Sequence, residues 1–337
     1  MVIIMEPDVT EAQVENVIEH LVNSGLNAHR TSERPYMVIG AVGDTTDLDV
    51  SEFEVMPGVK EAYRVSSPYR LANRVARPLG TVVKVGEVEI GGDYVQMIVG
   101  PPDVTSREEF DEIALAIASV GGRLIHGMAC NVSYSPHNPK CSVEERSGWL
   151  RSAADRYGLK VVSDVNDTQE LSFISEFSDM LHINSRNMNN YSLLRDVGRQ
   201  DKPVVLDRAL SATAEELLLS AEYVLMGGNA KVVLCECGIR TFDVGVPSTM
   251  DLVAIPVIKS LSHLPILANP SRATGRKDRV PSMGKAAIAA GADGLIIDVH
   301  PNPMSLSLGS AQSLSVSEFR DLLEQLKRVV SAVGRKM

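Results

Sequence analysis

Several features are scarce in this sequence of 337 residues, and each absence excludes a class of protein. There are only four cysteines, at positions 130, 141, 235 and 237, and no two form a CxxC pair. Zinc-type spacing and a disulfide framework are therefore excluded. No apolar run reaches the ~18 residues of a membrane span. The first residues lack the basic segment and cleavage site of a signal peptide, so we predict a cytoplasmic protein without membrane contact.

An excess of positive charge is also missing. The chain has 33 lysines and arginines against 43 aspartates and glutamates, a net charge of −10. A net acidic surface repels phosphate backbones, so we expect no nucleic-acid partner. The hydrophobic share of 44% and the charged share of 23% are typical of a globular protein.

Residues 1–66 predict a small α+β domain. A short strand is followed by a helix that Thr10 caps and whose apolar stripe recurs at helical spacing through Val14, Val17, Ile18 and Leu21. Two strands, a short helix and a last strand complete the order β-α-β-β-α-β, which is ferredoxin-like. Residues 67–80 contain two prolines and predict a linker.

Residues 81–337 predict a (β/α)₈ TIM barrel preceded by a β-hairpin over 82–94. Eight apolar strands alternate with amphipathic helices, and we place them at 95–100, 123–128, 160–165, 180–185, 203–207, 231–236, 265–269 and 294–300. No GxGxxG motif follows a strand, which argues against a dinucleotide site. The fold class is therefore α/β, with an N-terminal α+β domain.

The chemistry of such barrels lies at the carboxyl ends of the strands. The predicted acid–base residues there are His126, His300, Asp207 and Glu236. The predicted anion-binding residues are Arg186, Arg208, Arg272 and Arg276, because guanidinium groups suit carboxylate and phosphate. The alternative is a rim of mutually paired ions. No strand ends in lysine, which excludes a Schiff-base aldolase.

Few groups at this rim could converge on a metal. Asp298, His300 and Glu236 are conceivable ligands, but the first strand offers only prolines and Asp103. We therefore predict no metal and no other cofactor. Cys235 and Cys237 lie two residues apart on one strand, and we expect both to be buried and structural.

A run of motifs over nearly the whole chain resembles 3-deoxy-D-arabino-heptulosonate 7-phosphate (DAHP) synthase, in its short type Iβ form with a ferredoxin-like domain. The motifs include VGEVEIGGDY in the hairpin, SRN at 185–187, LCECGIRTFD at 234–243, SHLPILANPS at 262–271 and DVHPNP at 298–303. The resemblance implies a barrel that condenses phosphoenolpyruvate with erythrose 4-phosphate on a divalent metal. It also implies a homo-oligomer, a tetramer or a dimer.

The catalytic positions of that family are mostly substituted in this sequence. Pro102, Arg272, Asp298 and Gly309 or a neighbour stand where the family has its metal ligands. His126, Asp207 and Cys237 replace an arginine, a lysine and an arginine that hold substrate, and the substrate loop reads NVSYSPH at 131–137. Of the residues that bind the phosphate of phosphoenolpyruvate in that family, only Arg186 clearly remains.

These substitutions predict an enzyme repurposed for metal-independent acid–base chemistry on a small carboxylate or phosphate metabolite related to the shikimate pathway. Its reaction would be of the lyase, transferase or isomerase type. One alternative is a non-catalytic relative that regulates a DAHP synthase. A second alternative is residual DAHP synthesis with different ligands.

Overall fold

The chain forms two units, and each has its own hydrophobic core. The computed structural model describes residues 1–31, 37–42, 48–63, 68–104, 106–127, 143–243, 245–246, 248–306 and 309–337. These residues form two units, Met1–Leu79 and Gly80–Met337. Cys130, Cys141 and the NVSYSPH segment lie outside the described residues. The predicted boundaries at 66/67 and 80/81 stay predictions.

The first unit has the predicted ferredoxin-like order. Its elements are β1 (Val2–Met5), α1 (Glu11–Asn23), β2 (Asn27–Thr31), β3 (Val38–Val42), α2 (Val50–Glu54) and β4 (Val59–Tyr63). The antiparallel sheet has the strand order β2-β3-β1-β4. Thr10 is the N-cap of α1, and Val14, Val17 and Leu21 are buried on one helix face. The 3.6-residue apolar period therefore positions this helix as predicted.

The second unit is a hairpin followed by a closed parallel barrel. Its strands are β5 (Val83–Val85), β6 (Val88–Ile90), β7 (Gln96–Gly100), β8 (Leu124–Gly127), β9 (Lys160–Asp164), β10 (Met180–Ile183), β11 (Val204–Asp207), β12 (Val232–Glu236), β13 (Ile266–Ala268) and β14 (Gly294–Asp298). Its helices are α3 (Arg107–Ser119), α4 (Val143–Tyr157), α5 (Thr168–Phe177), α6 (Tyr191–Gly198), α7 (Ala214–Met226), α8 (Ala254–Leu261), α9 (Pro270–Thr274), α10 (Val280–Ala289) and α11 (Val316–Ala332). The eight strands β7–β14 close in chain order, which confirms the predicted barrel.

The hairpin closes the amino-terminal end of the barrel. Its four apolar side chains are Val83, Val85, Val88 and Ile90, and they belong to the same buried core as the first inward layer of the strands. That layer contains Ile98, Leu124, Val162, Met180, Val205, Val233, Leu267 and Ile296. Since side chains alternate along a strand, the residues two positions further on face inward again, one layer closer to the mouth.

The barrel closes between its first and its last strand. β14 pairs with β7 in parallel from Gly294 opposite Gln96 to Asp298 opposite Gly100. The C-terminal segment adds to this seam, because the Val95 N–H donates to the Lys336 carbonyl oxygen at 2.8 Å. Within the described part of the chain, no helix is long and apolar enough to cross a membrane.

Candidate active site

The second inward layer of the barrel is polar. His126, Asp164, His182, Asp207 and Asp298 each follow an apolar residue of the first layer by two positions. None of the five is more than 7% exposed. Buried charged groups require partners, so this layer is where the barrel can perform chemistry.

Four of these side chains form a continuous row across strands β8 to β11. His182 lies between two carboxylates, with Nδ1 2.6 Å from Asp164 Oδ1 and Nε2 2.8 Å from Asp207 Oδ1. The same Asp164 oxygen lies 3.1 Å from His126 Nε2. We call His126, Asp164, His182 and Asp207 the His–Asp row. Gly100 permits this packing, because a side chain there would collide with the carbonyl oxygen of His126.

The row fixes the charge of its members. Burial favours a neutral ring at His182, but the carboxylates of Asp207 and Asp164 outweigh it and raise its pKa to about 10. Burial likewise disfavours both carboxylates, yet the charge of His182 holds the pKa of Asp164 and of Asp207 below the ordinary value. The centre of the row is therefore an imidazolium between two carboxylates.

Arg272 lies over the open end of the row. Its Nη2 donates to the Ser185 hydroxyl at 3.0 Å, and its Nη1 lies 3.8 Å from Asp207 Oδ2. The guanidinium is thus beside the SRN segment, whose Arg186 side chain is exposed. The arrangement brings Arg272 next to the segment that carries Arg186, as an anion site at this rim requires.

Asp298 and His300 occupy the end of the last strand. Burial raises the pKa of Asp298, although the side-chain amide of Gln312 donates to its Oδ2. His300 is 1% exposed, and its Nδ1 accepts the N–H of Asn302 at 3.1 Å. Its Nε2 lies 3.6 Å from Glu109 Oε1. Both residues remain at the mouth as acid–base candidates.

Arg208 and Glu236 form a clamp on the other face of their strands. Arg208 follows Asp207 by one residue and Glu236 follows Cys235, so neither continues the inward layer. Arg208 donates to Glu236 at 3.0 Å, to Asp251 at 2.9 Å and to the Ala212 carbonyl at 2.8 Å. Glu236 also accepts the Gly238 N–H. These contacts favour a structural role over the predicted anion-binding and catalytic roles.

Arg276 is also paired. Its Nε donates to Asp278 Oδ1 at 2.9 Å, and both side chains are more than half exposed. The paired-ion alternative therefore describes Arg208 and Arg276, whereas Arg272 is the rim arginine that faces the buried row.

Comparison with known proteins identifies the family. Residues 72–334 match the model of the DAHP synthetase I family, and residues 1–67 match that of the DAHP synthase ferredoxin-like domain. The chain belongs to the DAHP synthase family. A phospho-2-dehydro-3-deoxyheptonate aldolase of Thermotoga maritima is 37% identical over the full length of both chains. A 2-dehydro-3-deoxyphosphooctonate aldolase of Koribacter versatilis is 25% identical over 74% of this chain and 96% of its own.

Solved structures agree with this placement. The crystal structure of the Thermotoga maritima DAHP synthase superposes with a TM-score of 0.79 at 37% identity, covering 99% of this chain and 98% of that one. A truncated form of that protein covers 79% of this chain and 98% of its own, with a TM-score of 0.73. These likenesses favour the DAHP synthase alternative over the repurposed chemistry predicted from the sequence.

The metal ligands that the resemblance implies do not fit this chain. Pro102 and Gly309, which stand at two ligand positions, pack against each other so closely that a Cβ on Gly309 would lie 2.5 Å from Pro102 Cγ. At the third position Arg272 brings a cation, and only Asp298 offers an oxygen ligand there. These positions therefore do not form a metal site in this chain.

Sequence reasoning missed the centre of the row. Neither Asp164 nor His182 is among the acid–base or anion-binding residues that the sequence predicts. The sequence carries a partial signal, a histidine inside the apolar strand MLHI, but its register partner Asp164 is known only from the barrel. Cys235 and Cys237 are both fully buried, as predicted, and burial raises the pKa of both thiols well above its ordinary value.

Proposed function

We propose that this chain condenses a small enol phosphate with a phosphorylated aldehyde in the mouth of the barrel. Phosphoenolpyruvate and erythrose 4-phosphate are the pair that family membership favours. The observation that carries the proposal is the position of Arg272, which lies between the SRN segment and the buried His–Asp row. An anion held there would place its reactive carbon beside the only cluster of that kind in the described barrel interior.

The reaction balances without an external oxidant or reductant. The methylene carbon of the enol phosphate bonds to the aldehyde carbon, and the aldehyde oxygen takes up a proton. Water adds to the carbon that bears the phosphate ester, and inorganic phosphate leaves. The products are a phosphorylated 2-keto sugar acid and phosphate.

The described side chains divide this work. Arg272 and Arg186 hold the carboxylate or phosphate through charged hydrogen bonds. At the row, the imidazole of His126 donates a hydrogen bond to the aldehyde oxygen and so stabilises the negative charge that develops on it. Asp298, a buried carboxyl whose pKa is raised, holds the proton that this oxygen receives.

A second candidate is acid–base chemistry on one anionic metabolite without carbon–carbon bond formation. The observation that favours it is Asp207, an acidic residue where the family places a substrate-binding lysine. His126 and His300 would then exchange protons with the bound anion. A non-catalytic, regulatory relative is the remaining alternative.

Product analysis separates these functions. Purified protein is incubated with phosphoenolpyruvate and erythrose 4-phosphate, and phosphate release and the seven-carbon product are measured together. We expect both in equal amounts. Phosphate or a rearranged acid without a seven-carbon product contradicts condensation and supports the second candidate.

Arginine variants test the anion site independently of turnover. Arg272→Ala and Arg186→Ala should each weaken phosphoenolpyruvate binding in calorimetry by about 1.5–3 kcal/mol, the range for hydrogen bonds to charged groups. Arg240→Ala is the control, since Arg240 is an exposed arginine of the same rim. Equal binding by all four proteins would place the anion elsewhere.

A further inference from the structure

We propose that His126, Asp164 and His182 bind a divalent first-row transition-metal ion. Their donor atoms come from three adjacent strands, β8, β9 and β10, and converge on one point. His126 Nε2 lies 3.1 Å from Asp164 Oδ1 and 3.2 Å from His182 Nδ1, and the last two atoms are 2.6 Å apart. All three residues are at most 7% exposed.

The triangle of donor atoms has the size that a metal requires. With these three sides, the circle through the atoms has a radius of about 1.7 Å, which is shorter than a metal–ligand bond of about 2.0–2.2 Å. An ion can therefore contact all three atoms from a position about one ångström above their plane. The three donors then occupy one face of the ion, and the remaining coordination positions stay open.

The outer contacts of His182 are those of a metal ligand. Histidines that bind metal almost always give their other ring N–H to a carboxylate, a carbonyl or water, which fixes the orientation of the ring. His182 Nε2 lies 2.8 Å from Asp207 Oδ1, so that nitrogen keeps its proton, and Nδ1, which is turned toward the other two donors, releases its proton when the ion binds. Asp207 is 0% exposed and held in place within the same layer.

Hydrogen bonds alone do not satisfy every donor and acceptor of this cluster. One oxygen, Asp164 Oδ1, faces two ring nitrogens, and these nitrogens face each other at 3.2 Å. His126 Nδ1 is buried with no hydrogen-bond partner among the described residues, so the polar contacts described for that ring are those of Nε2. A cation between the three atoms would satisfy all of them at once.

The donor set indicates the kind of ion. Two imidazoles and one carboxylate suit Mn²⁺, Fe²⁺, Co²⁺ or Zn²⁺, whereas Ca²⁺ and Mg²⁺ prefer oxygen ligands. The site is distinct from the positions of Pro102, Arg272 and Gly309, and it replaces the prediction that the chain binds no metal. It does not depend on the proposed reaction, because metal binding is measured without substrate.

Calorimetry and cobalt spectroscopy test the site. Full-length protein is treated with EDTA, dialysed, and titrated with ZnCl₂ or CoCl₂. We expect one ion per chain and Co²⁺ visible bands without the thiolate charge-transfer absorption of a cysteine ligand. Asp164→Asn and His126→Gln should each weaken binding at least tenfold, and Asp207→Asn should weaken it about 10–100-fold as a positioning residue.

A buried histidine at the opposite end of the barrel provides the matched control. His263→Gln removes an imidazole that is 4% exposed and bonded to Thr81, so its affinity should equal that of the wild type. Circular dichroism identifies any variant that fails to fold, and the metal affinities of the folded variants then test the site. Absence of stoichiometric binding by the wild type, a cobalt–thiolate band, or equal affinity in folded His126→Gln and Asp164→Asn would each overturn the site.

Discussion

At the scale of single residues, the arginines of the rim differ in what surrounds them. Arg208 has a side chain 8% exposed against the 0% exposed carboxylate of Glu236, whereas the Arg276 side chain is 59% exposed beside Asp278. A buried ion pair stabilises the fold little by itself, but removing one partner leaves the other charge buried without a countercharge. Surface pairs contribute about 0–1 kcal/mol.

Arg208→Met should therefore lower the free energy of unfolding by about 3–5 kcal/mol, because Glu236 loses its countercharge. Arg276→Met is the matched control and should leave it nearly unchanged, because the exposed pair with Asp278 is screened by solvent. Urea denaturation measures both. Equal losses in the two variants would mean that the clamp around Arg208 does not stabilise the fold.

Pro102 and Gly309 provide a second test at this scale. Gly309 has φ +78°, and a Cβ there would lie 2.5 Å from Pro102 Cγ and 2.6 Å from Pro102 Cβ. Gly309→Ala should cost about 1–2 kcal/mol for the left-handed backbone, and a further ~1–3 kcal/mol for overpacking.

A double-mutant cycle separates these two costs. A Pro102→Ala background removes the clash with Pro102 Cγ and keeps the Cβ, so the overpacking cost of Gly309→Ala should fall there, and the backbone cost should remain. Pro102→Ala alone serves as the reference, and chemical denaturation supplies all four free energies. Strict additivity would show that the two side chains do not meet.

At the scale of elements, Tyr63 and Glu61 lie two positions apart on β4 and hence on one face of the strand. A hydrogen bond to Glu61 raises the pKa of Tyr63 to about 12. Because the folded-state pKa lies above the unfolded value, the interaction stabilises the fold below pH 10 and is lost as the pH rises toward 12.

Ultraviolet titration of the tyrosines measures this pKa directly. Glu61→Gln should lower the pKa of Tyr63 toward its ordinary value and should reduce the loss of stability between pH 10 and pH 12. Glu6→Gln, in the same unit, is a control for a general change of charge. An unchanged titration in Glu61→Gln would exclude the hydrogen bond as the cause.

The elements themselves were predictable because each rests on local pattern. All eight barrel strands were predicted to within two residues, since a buried parallel strand is a short apolar run bounded by turn residues. The site was predictable only in part. A residue's position at a strand end does not tell whether its side chain faces the barrel interior. Asp207 faces inward, whereas Arg208, the next residue, does not. The pairing of His182 with Asp164 needed the strand register, which no local pattern contains.

At the scale of the whole molecule, α8 presents an apolar face to solvent. Val253, the N-cap of this helix, and its residues Val257 and Leu261 recur every four residues and are 70%, 40% and 37% exposed. Apolar groups that share a helix face and remain exposed are typical of a protein–protein contact. The homo-oligomer, a dimer or a tetramer, stays a prediction, and this face is where we expect its contact.

Light scattering should therefore give a mass at micromolar concentration that is a multiple of 36.5 kDa. Val257→Glu should lower that mass, because a charge on the face opposes burial. Leu115→Glu is the control, since it changes a single leucine that is 52% exposed on α3. A wild-type mass of one chain would contradict the prediction.

The seam between β7 and β14 also determines when, during synthesis, the protein becomes able to bind its ligands. In every other pair of barrel strands, the two strands are neighbours in chain order. This pair joins the first barrel strand to be synthesised, β7, to the last, β14. On a ribosome, seven strands must wait as an open sheet until Gly294–Asp298 emerges. The polar layer is assembled only at that step, so a nascent chain halted before β14 should be protease-sensitive in the barrel and unable to bind metal or anion.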